Sequence, residues 1–189
     1  MRTLVLASTS PRRRELLIEH GYEIELVPPK IAEVMPEFLT VFETALFNAC
    51  RKAATVSNIY PEKLVLAADT LVSIDGETLG KPADMMEATL MLSRLSGREH
   101  LVLTGVWLMR GNPRQSLGFV EKSRVRFRKV TREEIRQYFE QIDPLDKAGA
   151  YAAQTDPIGL IEEIIGSRTN VVGLPMEALE KALKTFEGL

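Results

Sequence analysis

The chain has 189 residues, of which 45% are hydrophobic and 26% are charged. This length and composition suffice for one globular domain with a substantial core, so we expect residues 1–189 to fold as a single domain. The 24 lysines and arginines are balanced by 26 aspartates and glutamates. A general nucleic-acid-binding surface usually needs a basic excess, so no stable nucleic-acid partner is expected.

The scarcity of thiol and imidazole side chains excludes several kinds of site. Cys50 is the only cysteine, which excludes an intrachain disulfide and a cysteine-type zinc cluster. Only His20 and His100 carry an imidazole, which argues against a histidine-based metal site. The apolar run Leu4–Ala7 is too short for a signal peptide, and no segment approaches the ~20 apolar residues of a membrane helix. We therefore expect a cytoplasmic protein without a membrane partner.

The start of the chain predicts a strand, a helix and a second strand. Residues 3–7 look like a short buried strand. Pro11 suits the first turn of a helix for which Ser10 is the expected N-cap, and Gly21 ends that helix. Residues 22–28 alternate in polarity like a strand.

A longer helix is predicted over residues 41–57, where apolar residues recur with helical spacing. Its expected core face consists of Phe42, Ala45, Leu46, Ala49 and Ala53. Asn48 and Lys52 lie four residues apart and should project together from another side. Taken alone, Lys52 is expected to be a solvated lysine.

The rest of the chain continues the alternation of strands and helices. We expect a strand Leu64–Ala68, a break at Asp69–Thr70 and a further strand that ends in a hairpin turn at Asp75–Gly76. A helix from Asp84 to Gly97, with Glu87 in its cap, is followed by strands Leu101–Arg110 and Phe119–Arg128. The remaining elements are a helix Arg132–Gln141 capped by Thr131 and Glu134, a loop over 143–154, a strand Leu160–Ile165 and a helix from Pro175. This order predicts an α/β fold with a mixed, twisted sheet and flanking helices.

The turn between the first strand and the first helix carries hydroxyls and arginines, in the sequence STSPRR. Outward-pointing N–H groups and the helix dipole favour an anion at such a turn, and Ser8, Arg12 and Arg13 could hold a phosphate there. The alternative is an ordinary capped helix, which the turn by itself predicts equally well. Arg14 is expected to be plain surface.

Two carboxylates and two lysines complete the candidate site. Asp69 interrupts an apolar strand, where a carboxylate must be paired, hydrogen-bonded or bound to a metal, while Glu33 in its loop indicates little by itself. Lys81 follows Gly80, but the spacing and the next residue, Pro82, do not match a P-loop. Together these groups, with Lys52, suit a triphosphate with a magnesium ion, because hard oxygens bind the metal and cations bind the phosphates.

These motifs resemble those of the Maf-like nucleoside triphosphate pyrophosphatases along nearly the whole chain. The matching segments are LASTSPRR, the loop with Glu33, NACRKA with Lys52, AADT, GKP, SGREH, the Thr104–Gly105 pair, DPLDKAGAYAAQ and NVVGLP. The resemblance implies a two-lobed fold similar to inosine triphosphate pyrophosphatases, with a cleft and frequent homodimers. It also implies cleavage between the α- and β-phosphates, which yields a nucleoside monophosphate and pyrophosphate.

The same resemblance assigns roles to individual residues. Asp69 matches the catalytic proton acceptor and Glu33 a metal or water partner, so both are expected to bind Mg²⁺ or Mn²⁺. The positions that match phosphate contacts are Ser8, Arg12, Arg13, Lys52 and Lys81. If both oxygens of Asp69 bind the metal, Glu33 is the better base.

Base preference is expected at three further positions. Relatives that act on methylated guanine nucleotides carry tryptophan, glutamine and glutamate where this chain has Arg12, Thr70 and Gln154. The resemblance therefore favours dTTP and UTP, since the Gln154 amide can both donate to and accept from a pyrimidine imide. The turn Thr155–Asp156–Pro157 departs from the glycine-rich turn usual in the family. The alternatives are a methylguanosine triphosphate pyrophosphatase and a non-catalytic nucleotide- or nucleic-acid-binding regulator.

Overall fold

The computed structural model describes residues 3–188. Their elements, in chain order, are β1 (Thr3–Ala7), α1 (Pro11–Glu19), β2 (Glu23–Leu26), α2 (Val41–Ser57), β3 (Val65–Ile74), β4 (Glu77–Leu79), α3 (Met85–Leu95), β5 (Glu99–Arg110), β6 (Gln115–Phe127), α4 (Arg132–Phe139), a 3-10 turn (Ala148–Ala150), β7 (Ile161–Ile165), α5 (Arg168–Val172) and α6 (Met176–Glu187). The strands pair in the order β2–β1–β3–β5–β6–β7, with β4 on β3. β1 pairs parallel with β2 and β3, whereas β4 and β7 pair antiparallel with their neighbours, so the predicted mixed α/β fold is confirmed.

The described chain divides into two compact units, each built from separated segments. The first comprises residues 3–70, 104–121 and 173–188, and the second comprises Leu71–Leu103 and Lys122–Val172. The single-domain organisation stays a prediction. None of the helices within residues 3–188 combines the length and the apolar character that crossing a membrane requires.

The first unit buries α2 against parallel strands. Its small apolar cluster is formed by Val5, Ala7, Ala53, Val56, Val65 and Ala67. α2 also approaches β5 closely at Gly105, where an added Cβ would lie 2.4 Å from the backbone carbonyl of Ala45. Only glycine permits this contact, so Gly105 determines how near α2 lies to the sheet.

The second unit has its own core, in which α3 and α4 contribute apolar side chains. Fully buried members include Leu92, Leu95, Phe127, Ile135 and Tyr138. The predicted caps of α3 and α4 are confirmed. The Asp84 side chain accepts from the backbone N–H of Glu87, and Thr131 and Glu134 form a reciprocal capping box.

The predicted break at Asp69–Thr70 was wrong. β3 runs without a break through Asp69, because that carboxylate has polar partners and the strand need not end there. Ser10 is the N-cap of α1, as predicted, although its side chain makes no capping bond; its N–H donates to Ser8 Oγ at 3.0 Å. The short helix α5 was not predicted.

The buried face of α2 also differs from the expectation. Phe42 is 40% exposed, whereas Asn48 and Lys52 are only 1% and 6% exposed. Polar residues that are paired inside a protein have the same sequence signature as surface residues, so periodicity alone assigned them to the wrong environment. The expectation of a solvated Lys52 was therefore wrong.

Candidate active site

Lys52 joins the two predicted carboxylates. Its Nζ lies 2.6 Å from Glu33 Oε1 and 2.6 Å from Asp69 Oδ1. Glu33 comes from the loop between β2 and α2, Lys52 from α2 and Asp69 from the middle of β3. The structure thus brings together three predicted residues that are far apart in the sequence.

Burial differs between the two carboxylates. The side chain of Asp69 is 4% exposed, whereas that of Glu33 is 35% exposed. Desolvation raises the pKa of Asp69, and the nearby Lys52 ammonium opposes that rise. Glu33 adds a further negative charge that favours the protonated form of Asp69. Glu33 and Asp69, called the dyad below, therefore consist of one buried carboxyl group, that of Asp69, and one more exposed group, that of Glu33.

Asn48 is a site residue to which the sequence assigned no role. Its Nδ2 lies 3.1 Å from Asp69 Oδ2 and 3.0 Å from the carbonyl oxygen of Val34. Its Oδ1 accepts from the Val34 N–H at 3.1 Å. The i, i+4 spacing from Lys52 was the only signal in the sequence that could have indicated it.

Arg13 lies close to the same group of residues and is buried, whereas Arg12 at the start of α1 is half-buried. Nε of Arg13 donates to the Gly173 carbonyl at 2.8 Å, and Nη2 donates to Thr70 Oγ1 at 2.9 Å. Nη1 makes a longer contact of 3.4 Å with Ser8 Oγ. Burial lowers the pKa of Arg13, and the charges of nearby carboxylates oppose that fall. These acceptors fix the plane of the guanidinium.

Thr70 and Ser8 are the hydroxyls that meet Arg13. Thr70 Oγ1 lies 3.0 Å from Thr104 Oγ1 and donates to the Gly173 carbonyl at 3.3 Å. Ser8 is buried and also accepts from the Ser10 N–H. The two hydroxyls therefore take part in the hydrogen-bonding that holds the turn before α1 against β3.

Lys81 and Gln154 belong to the second unit, and both side chains are exposed. The loop that precedes Gln154 is tied to the residue before Lys81, because the Gly149 N–H donates to the Gly80 carbonyl at 3.0 Å. Tyr138 holds the same loop by accepting from the Ala152 N–H at 2.9 Å. The substrate roles of Lys81 and Gln154 stay predictions.

The unusual turn after Gln154 has a structural reason. Asp156 Oδ1 accepts from the Leu160 N–H at 2.7 Å, and Oδ2 accepts from the Ile161 N–H at 2.8 Å. One carboxylate thus caps the backbone that leads into β7. A side-chain cap here supplies order that a glycine-rich turn lacks.

The donor atoms of the dyad suit a divalent metal only in part. Among residues 3–188, no group of three or more His, Cys, Asp or Glu side chains could hold a metal ion. Mg²⁺ is nevertheless commonly bound by one or two carboxylates together with phosphate oxygens and water. Glu33 and Asp69, drawn together by one cation, fit that pattern in their chemistry.

Comparison with known proteins relates the whole chain to one family. The family described as "Maf-like protein" matches residues 3–186. A dTTP/UTP pyrophosphatase of Symbiobacterium thermophilum is 47% identical over 186 residues, covering 98% of this chain and 95% of its own length. A protein of the same name from Pelotomaculum thermopropionicum is 42% identical, covering 98% and 97%.

Solved structures show the same fold at low sequence identity. The Staphylococcus aureus Ham1 protein is 15% identical, with a TM-score of 0.54, covering 97% of this chain and 99% of its own. A HAM1 protein from Coxiella burnetii is 17% identical, with a TM-score of 0.51 over the full length of both chains. These likenesses support the α/β fold that the sequence predicted.

Proposed function

This chain belongs to the Maf-like protein family, and from that premise we propose that it is a nucleoside triphosphate pyrophosphatase acting on dTTP and UTP. The observation that carries the proposal is the buried Asp69 joined through Lys52 to the more exposed Glu33. Relatives named dTTP/UTP pyrophosphatase at 38–47% identity support the substrate. The reaction yields the nucleoside monophosphate and pyrophosphate.

The mechanism rests on the contrast between the two carboxylates. Asp69 is the proton acceptor, and its Oδ1 and Oδ2 are oriented by Lys52 and Asn48. Glu33 faces solvent and orients the attacking water. Bringing a charged, prepositioned base to the water lowers the barrier for attack on phosphorus. The reverse assignment, with Glu33 as base, is the alternative for the same dyad.

Cations near the dyad stabilise the charge that develops on the departing pyrophosphate. We assign this role to Arg12, Arg13 and Lys52, with Ser8 positioning the turn before α1. Arg13 acts from a fixed orientation, since its hydrogen bonds leave little rotational freedom. Lys81 and Gln154 carry the phosphate and base contacts that the family resemblance assigns to them.

A divalent cation is part of this proposal. Glu33 and Asp69 would hold it, and when bound it neutralises charge on the phosphate oxygens. We propose Mg²⁺ or Mn²⁺ as the ion. A cytoplasmic location and a homodimer, without a nucleic-acid partner, stay predictions that accompany the proposal.

The test is pyrophosphate release from dTTP, UTP and a methylated guanosine triphosphate, measured with Mg²⁺, with Mn²⁺ or with a chelator. Asp69→Asn should lower kcat/KM for dTTP by about 10²- to 10⁴-fold, the contribution typical of a general base. Asp75→Asn is the matched control. Asp75 lies in the exposed turn after β3 with φ 55°, a conformation that asparagine also adopts.

Different outcomes overturn different parts of the proposal. Equal activity of Asp69→Asn and wild type would remove Asp69 from the chemistry. Preference for the methylated guanine nucleotide would keep the reaction and reject the pyrimidine substrates. Tight nucleotide binding without turnover would favour a regulator over an enzyme. Full activity in the presence of a chelator would reject the proposed requirement for a divalent cation.

A further inference from the structure

The side-chain amide of Asn48 forms hydrogen bonds to Asp69 and to the backbone of the residue that follows Glu33. Nδ2 contacts Asp69 Oδ2 on β3, and the same side chain both donates to and accepts from the backbone of Val34. Val34 directly follows Glu33 in a loop without helix or strand. One side chain therefore links the strand that carries one carboxylate to the loop that carries the other.

A second contact from α2 reaches the other side of Glu33. Arg51 Nη1 donates to the carbonyl of Ala32 at 2.9 Å. Two side chains of α2 thus hold the backbone on either side of Glu33. The buried Asn48 bonds to Val34, and the more exposed Arg51 bonds to Ala32. In a loop without regular structure, such bonds determine where the intervening side chain lies.

Burial favours a positional role for Asn48. The residue is 1% exposed, and a buried amide is costly unless its donors and acceptor are paired. Among residues 3–188, the hydrogen bonds of this side chain go to Asp69 and to the backbone of Val34, beside Glu33. An apolar residue of similar size could fill the space but could not hold this geometry.

We propose that Asn48 is a positioning residue, which holds Glu33 and Asp69 at a fixed spacing for hydrolysis of the anhydride bond between the α- and β-phosphates. This proposal rests on the proposed pyrophosphatase function. Loss of the amide should act on the chemical step more than on substrate affinity, because Asn48 acts through the carboxylates. Removing a group that supports metal-ligating side chains, as Glu33 and Asp69 are proposed to be, typically lowers metal affinity or activity about 10- to 100-fold.

The test compares Asn48→Ala and Asn48→Leu with wild type. Leucine keeps the side-chain volume without the amide, so it separates lost hydrogen bonds from a cavity. We expect kcat for dTTP to fall about 10- to 100-fold in both variants, with KM within about threefold. Amide hydrogen exchange should quicken by about tenfold at Val34 and stay unchanged at Leu39, whose N–H bonds to Pro36 within the same loop.

Asn170→Ala is the matched control for a buried asparagine. Asn170 is fully buried in the second unit, and its Nδ2 donates to the Val102 carbonyl and to Ser123 Oγ. The Asn170→Ala variant should have a lower melting temperature than the wild type, whereas the rate of amide hydrogen exchange at Val34 should stay unchanged. Unchanged Val34 exchange in both Asn48 variants, or unchanged kcat despite faster exchange, would overturn the proposal. If the wild type hydrolyses no nucleotide, the proposed function itself has failed, and the exchange data still show whether Asn48 holds the loop.

Discussion

The Nζ of Lys52 lies 2.6 Å from Oδ1 of Asp69, and both side chains are almost completely buried. A buried carboxylate is tolerated where a counterion and hydrogen bonds compensate its desolvation. Here the compensating cation is also shared with Glu33, which is more exposed. The same cation thus stabilises a charged group inside the fold and links the two carboxylates that we propose to take part in catalysis.

Removing the lysine should be strongly destabilising. Lys52→Met leaves Asp69 without its closest cation, and we expect the free energy of unfolding to fall by about 3–5 kcal/mol. The double variant Lys52→Met/Asp69→Asn should recover part of this loss, because it contains no uncompensated carboxylate at that position. Urea unfolding measures the free energy of unfolding of the single and the double variant. Lys63→Met, which breaks the exposed pair with Glu25, should cost less than about 1 kcal/mol. A double variant no more stable than Lys52→Met would contradict this account.

Arg13→Lys should also be destabilising, although it keeps the charge. The guanidinium reaches Gly173 and Thr70 at once, and a single ammonium cannot reproduce that planar fork. We expect a loss of about 1–3 kcal/mol in the free energy of unfolding, measured with denaturant. Arg14→Lys, one residue along on the exposed side of α1, should change it by no more than about 0.5 kcal/mol. Equal effects of the two substitutions would show that the contacts of Arg13 do not matter for stability.

His100 should make stability fall in mild acid. Burial lowers its pKa to about 4 from 6.5; Nε2 bonds to the Tyr151 hydroxyl, and Nδ1 has no hydrogen-bond partner among the described residues. Below pH 6.5 the unfolded chain binds a proton that the folded chain does not, so stability falls until the pH reaches about 4. Between pH 7.5 and pH 5 the free energy of unfolding should fall by about 2 kcal/mol from this cause.

Comparison with His100→Gln isolates this effect. Urea unfolding of both proteins at pH 7.5 and pH 5 cancels the contributions of other groups. The wild type should lose about 2 kcal/mol more than the variant on acidification. The same loss in both proteins would mean that His100 takes up a proton as readily in the fold as in the unfolded chain.

Local patterns in the sequence were enough to determine most of the elements. Helix α2 begins and ends where its periodicity predicted, over Val41–Ser57, and the turn at Asp75–Gly76 has the positive φ angles expected of a hairpin. Such features depend on neighbouring residues, so the sequence alone specifies them. The ordered motifs likewise indicated the family, which the comparison with known proteins confirmed.

Tertiary structure decided which polar residues are buried and what they meet. Lys52 and Asn48 have the local signature of a solvated helix face, and Asp69 that of a strand end, yet all three are buried together. Lys52 and Asn48 in α2 contact Asp69 in β3, which lies 17 and 21 residues further along the chain. Pairing across such distances follows from how α2 and the loop with Glu33 lie against the sheet. Because a buried polar group is stable only when those partners are in place, the i, i+4 spacing from Lys52 could indicate Asn48 but not the residues that it contacts.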